Sequence, residues 1–154
     1  MNLKLSFLWI GIVVFALPIV INIFYAFFPP ADSPAAAAPV PKALEMVEQA
    51  SRIAYLLVIT FAVSKKQPTV HSAWLYLAVL FLALYYAVWF RYFLSGRKTE
   101  LLGKSFLFVP IPLAVFPVAY YIFAALWLHN IPAVAVMTVF GAAHIAVSVL
   151  SFRK

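Results

Sequence analysis

Between Leu5 and Phe28 the chain carries no charged side chain. At 1.5 Å per residue, a helix over that run outreaches the roughly 30 Å hydrocarbon core of a bilayer. Four further apolar runs follow, and little chain is left between them for a water-soluble domain. Charged residues make up 10% of the chain, against roughly 25% in soluble proteins, and the mean hydropathy is +1.05. These features predict an all-α fold, one integral membrane bundle of five transmembrane helices over about 5–28, 43–63, 72–94, 110–128 and 132–152, with a Pro/Ala-rich connector at 29–42.

Punctuation supports those boundaries. The first run is far longer than the 7–15 residue core of a signal peptide, so it reads as a retained helix. It should kink at Pro18, which cannot donate to the carbonyl of Val14. The connector PPADSPAAAAPVPK favours extended or polyproline II backbone, as a plain linker or as a stiff cover over the adjacent polar helix end. Pro41 precedes the second helix, and the Ser64–Pro68 turn closes it. Gly96 is placed to end the third helix. Pro110 or Pro112 opens the fourth, inside which Pro117 should free the carbonyl of Leu113. Asn130 is placed to cap the fifth.

The net charge of +7 does not make a nucleic-acid face, because the cations cluster at the ends of apolar runs as topology signals and headgroup anchors do. The expected partner is the lipid bilayer, not nucleic acid. The absence of cysteine excludes disulfides and thiolate chemistry. No His pair or His-with-carboxylate spacing falls on one helix, and no phosphate-binding loop, nucleophile elbow or zinc-protease motif occurs, so no metal or cofactor is expected. With five spans, Lys42, Arg97, Lys98, Lys104, Arg153 and Lys154 fall on one side, and Lys4, Lys65 and Lys66 on the other. The positive-inside rule then favours N-terminus out and C-terminus in. The two halves show no internal repeat, so any inverted-repeat symmetry would have to come from a homo-oligomer.

Charges near a membrane helix end are costly and call for an explanation. Glu45, Glu48, Arg52, Tyr55 and Ile59 recur at 3,4 spacing on one face of the second helix. Glu48 and Arg52 stand at i,i+4, in reach of an ion pair whose remaining hydrogen-bond sites neighbouring helices would have to meet. Glu45 reads as interfacial, favoured by the helix N-terminus. Helix parity puts Asn22 and Tyr25, Glu48 and Arg52, Tyr85, Trp89 and Arg91, and His144 and Ser148 in the same half of the membrane. Tyr85, Trp89 and Tyr92 share a helix face that reads as a packing face or an aromatic belt more readily than as a ligand cage. Arg91 points away from that face, as an anchor or as a site residue. His144 follows Gly141 on a small-residue stripe that permits close helix approach, and reads either as a hydrogen-bonded bundle residue or as a proton-transfer or ligand contact.

The segments Glu48-Gln49-Ala50-Ser51-Arg52 and Tyr85-Tyr86-Ala87-Val88-Trp89-Phe90-Arg91-Tyr92-Phe93 resemble patterns in small uncharacterised bacterial multi-pass membrane proteins. The resemblance implies a bacterial inner-membrane setting and no activity. The tryptophan-rich pattern of the translocator-protein family is missing. Three functions follow as expectations. The first is a one-leaflet polar pocket that binds or transports a small or amphipathic ligand, centred on Glu48 and Arg52 and lined by Asn22, Tyr25, Tyr85, Trp89, Arg91, His144 and Ser148. The second is an intramembrane lipid-modifying enzyme with His144 as base and Arg52 as anion clamp. The third is a structural or accessory subunit, which needs no cavity.

Overall fold

The computed structural model describes residues 3–32 and 39–152, so the middle of the proline-rich connector and the cations Arg153 and Lys154 lie outside the described residues. The chain is all-α: α1 (Trp9–Phe27), α2 (Lys42–Phe61), α3 (Ala73–Leu94), the single turn α4 (Glu100–Gly103), α5 (Pro112–Trp127) and α6 (Ile131–Phe152), with two short strands, β1 (Leu3–Leu5) and β2 (Ala62–Ser64). Three helices, α1, α3 and α6, are long and apolar enough to cross a membrane, and α5 is a shorter apolar helix. Large apolar side chains cover the outside, among them Ile12, Ile23 and Phe24 on α1 and Val79, Leu80 and Phe90 on α3. That is a surface for hydrocarbon and a liability in water.

The bundle is built on α3 against α5, α5 against α6 and α6 against α2, while α1 lies more lightly over α2, α3 and α5. Small residues set the close approaches. A side chain on Gly141 would press its Cβ to 2.6 Å from Val118 on α5, and one on Gly11 would run into the backbone carbonyl of Ile59 on α2.

The first two helices are shorter than predicted. Leu3–Leu5, Ala62 and Val63 are strand, in antiparallel register Leu3 with Ser64, Lys4 with Val63 and Leu5 with Ala62. The pairing continues as the N–H of Ser6 donates to Phe61 (3.0 Å) and that of Leu8 to Thr60 (2.9 Å). Those are among the last carbonyls of α2, which have no partner inside their own helix. The chain entering α1 supplies the donors, so its first residues stay extended.

Tyrosines fasten α1 around Pro18. The carbonyl of Val14, which the proline leaves without its helical donor, accepts from Tyr120 Oη (2.9 Å). Phe15 accepts from Tyr121 (2.8 Å) and Leu17 from Tyr86 (2.6 Å). The other punctuation falls as predicted. Gly96 takes φ +81° after α3 while the N–H of Arg97 returns to the carbonyl of Tyr92 (3.0 Å), the closing bond of a Schellman turn. Pro112 opens α5. Asn130 caps α6, its Oδ1 accepting from the N–H of Ala133 (3.0 Å), and its Nδ2 donates to the carbonyls of Val58 (3.1 Å) and Ala62 (2.8 Å). One buried side chain thus ties the start of α6 to the end of α2.

Candidate functional site

Glu48 is the buried carboxylate of the bundle, 6% exposed on the face of α2 that also buries Tyr55 and Ile59. Glu45, one turn earlier, is exposed. Glu48 Oε1 accepts from Arg52 Nη2 at 2.6 Å and lies 3.0 Å from His144 Nδ1 on α6. An ionised carboxylate only accepts, so this contact needs a proton on Nδ1, and in a neutral ring that leaves the lone pair on Nε2. Phe140, one turn before His144, closes the cluster. Its ring stacks on the imidazole with centroids 5.0 Å apart, and the Arg52 guanidinium lies 5.4 Å from its centroid. Phe140 escaped the sequence reading, although its i,i+4 spacing from His144 put it on the same face.

Beside this cluster lies an open cavity of about 520 Å³, within the size range of small-molecule sites. Asn22, Tyr25, Arg52, Tyr85, Trp89, His144 and Ser148 all line it. They come from α1, α2, α3 and α6, brought together because successive helices run in opposite directions. Helix α5 completes the wall with Leu113, Ala114, Pro117 and Tyr121. Among the described residues no side chain donates to the carbonyl of Leu113, the one that Pro117 frees. Phe15, Ile19, Met137 and Phe152 make much of the remainder apolar.

Two expected site residues stand elsewhere. Glu48 is not on the wall but behind Arg52 and His144, which it orients. Arg91 points to the other side of α3. It donates to the carbonyls of Leu101 (3.1 Å), Lys104 (2.8 Å) and Ser105 (2.9 Å), and its guanidinium lies 5.3 Å from the ring of Phe106. It therefore clamps the segment around α4 and does not reach the cavity, because a guanidinium meets unpaired turn carbonyls more cheaply than it meets lipid.

The aromatic face of α3 is interior packing. Tyr85, Trp89 and Tyr92 are 3%, 5% and 0% exposed, and Tyr25 of α1 lies against Trp89 and Tyr92 at 5.2 and 5.8 Å. Tyr85 Oη donates to Asn22 Oδ1 at 2.7 Å, which leaves the Asn22 amide N–H groups available. Beyond this end of the bundle, Ala31 N–H donates to Arg97 (2.9 Å), and the Asp32 carboxylate accepts from the N–H (2.9 Å) and hydroxyl (2.8 Å) of Thr99. These hydrogen bonds, the hydroxyl's first, hold the Asp32 carboxyl below its usual range.

Among the described residues no three His, Asp or Glu side chains gather in a way that could hold a metal ion. His71 pairs with Tyr76 at 3.2 Å. Comparison with protein-family models, with curated proteins and with solved structures gave no match. The fold and the site define an all-α chain with membrane-length apolar helices and a cavity edged by a Glu–Arg–His cluster.

Proposed function

We propose that this chain is a multi-pass membrane protein that binds or transports a small or amphipathic ligand in the cavity at Arg52 and His144. The observation that carries this reading is the cavity itself. Four helices contribute polar side chains to one apolar-walled space, and a purely structural ion pair would be packed shut. The charges are costly in a membrane unless they serve such a site.

The reading takes α1, α2, α3, α5 and α6 as five crossings. Their alternating direction supports it, since the cavity side chains then lie at one depth. The cation count favours that leaflet being the cytoplasmic one of a bacterial inner membrane. The chain has no cysteine, so single cysteines at Ser64 and Thr99 test the topology directly. A membrane-impermeant maleimide applied to intact cells should label Ser64→Cys and spare Thr99→Cys.

The cavity is tested by filling it. Ala114 lies on the wall and is 3% exposed, so Ala114→Phe projects a ring into the space. Small molecules extracted from the purified wild-type protein and identified by mass spectrometry should include a species that the folded variant lacks. Identical extracts would remove the reading. A lipid-modifying enzyme is the second reading, favoured by the Glu48–His144 contact, which leaves Nε2 poised as a base. It requires turnover of added lipid that His144→Ala abolishes.

A further inference from the structure

We infer that the cavity takes up an acid with its proton, the anionic oxygen of a carboxylate or phosphate monoester meeting Arg52 and the proton going to Nε2 of His144. This rests on the binding reading above and names the ligand class for that site.

The inventory of donors and acceptors points this way. Arg52 has five N–H donors, one of which is engaged by Glu48. Asn22 has spent its oxygen on Tyr85 and keeps its amide donors. Ser148 and Tyr25 add hydroxyls to the same wall. His144 lines the same wall, and with Nδ1 turned to Glu48 its Nε2 is the ring nitrogen left for a ligand. A ligand group that accepts several hydrogen bonds and brings one proton answers both requirements, whereas an ammonium group could donate to Nε2 but would accept from none of the wall's donors and would set a second cation beside Arg52. Glu48, the carboxylate that would attract a cation, stands off the wall and is already shared between Arg52 and His144.

Charge balance gives the stoichiometry. Glu48 and Arg52 cancel, so the resting cluster is neutral with a neutral imidazole. An anion entering alone would leave a net negative charge in apolar surroundings, and one proton on His144 restores neutrality. No covalent bond changes: the proton comes from water, or from the acid itself, and sits on Nε2. The other titratable groups facing this cluster are Tyr55 and Tyr121 together with Tyr25 and Tyr85, phenols that ordinarily ionise near pH 10. Imidazole is the side chain of this set that ordinarily changes charge near neutrality, so the proton is assigned to His144. The apolar remainder of the wall, Phe15, Ile19, Met137 and Phe152, suits an alkyl chain behind the acid.

The test uses the full chain in phosphatidylcholine nanodiscs, with empty discs subtracted, and titrates octanoate, octyl phosphate, octanol and octylamine by calorimetry. Octanoate or octyl phosphate should bind at least about tenfold more tightly than octanol or octylamine, as expected for a charge-assisted contact. Which of the two acids binds separates a fatty acid from a phosphate headgroup as source. Repeating the titration in buffers of different ionisation enthalpy should show one proton taken up per octanoate. The affinity should then fall about tenfold per pH unit as the pH rises through neutrality. Arg52→Gln should weaken binding roughly 10- to 100-fold. Arg52→Lys, which keeps the charge, serves if the glutamine variant does not fold. His144→Gln should flatten the pH dependence as well as lower the affinity. Equal binding of octanol or octylamine to the wild type, lost in Ala114→Phe, would overturn the acid assignment and leave the cavity reading standing. Binding unchanged by Ala114→Phe would remove both. Octanoate binding without proton uptake, or with an unaltered pH slope in His144→Gln, would overturn the proton step.

Discussion

Where α5 turns into α6, Asn130 has its amide group and its oxygen engaged by three backbone partners, and the N–H groups of Ser6 and Leu8, just after β1, take carbonyls that α2 leaves over. At the opposite end of the same helices, Arg52, Ser148 and the Asn22 amide face a cavity of about 520 Å³. Apart from the buried Thr60 hydroxyl, the first end has spent these polar groups on the protein itself, and the other holds them in reserve. Polar groups exposed to hydrocarbon are expensive, so a reserve of this kind is kept where something else completes the hydrogen bonds. The contrast teaches that the closed end ties the helices together, while on the proposed reading the open end would carry the specificity.

The contrast breaks most sharply at Asn130. Asn130→Leu removes a cap and strands two carbonyls, and should cost about 2–4 kcal/mol in a denaturing-detergent titration. Next comes Gly11, which sits against the Ile59 carbonyl. Gly11→Val should cost about 1–3 kcal/mol in the same titration, because backbone cannot move aside as a side chain can. Tyr120→Phe takes away the hydroxyl that replaces the donor missing at Pro18. Its effect should be about 1 kcal/mol, with faster amide exchange along α1 than in the wild type. At the open end Ser148→Ala should change stability by less than about 0.5 kcal/mol, and a loss as large as that of Asn130→Leu would erase the distinction between the ends. The smallest effect lies outside the membrane spans, at Asp32. Its carboxyl is held low by Thr99, so the contact is present above the unfolded carboxylate value and fades as the pH falls through the folded one. A carbon NMR titration of Asp32 should show a midpoint below 3.8 that Thr99→Val moves upward.

Much of the architecture was legible because it follows from local chemistry. The apolar runs, the prolines at 18, 112 and 117, Gly96 at a helix end and Asn130 before the last helix each act through their own backbone. That Asn22, Arg52, Tyr85 and His144 would gather at one end of the bundle was legible too, since alternating helix direction alone brings them there, and they line one cavity. The β1–β2 pairing was not legible, because Leu3–Leu5 and Ala62–Ser64 read as the flanks of apolar runs and differ from helix only in which partner's carbonyls are free. Arg91 was ambiguous for a related reason: its partners, the carbonyls of Leu101, Lys104 and Ser105, depend on how the segment after α3 folds back.

Glu48 and Arg52 show where the division falls. Their spacing on one helix determined that they could pair, since i,i+4 neighbours meet whatever surrounds them. That Glu48 would also accept a hydrogen bond from Nδ1 of His144, stand off the cavity wall and leave Arg52 facing the space was decided by the packing of α6 on α2. A contact across 96 positions of chain depends on helix rotation and separation, which the small residues along α6 set and no single segment encodes.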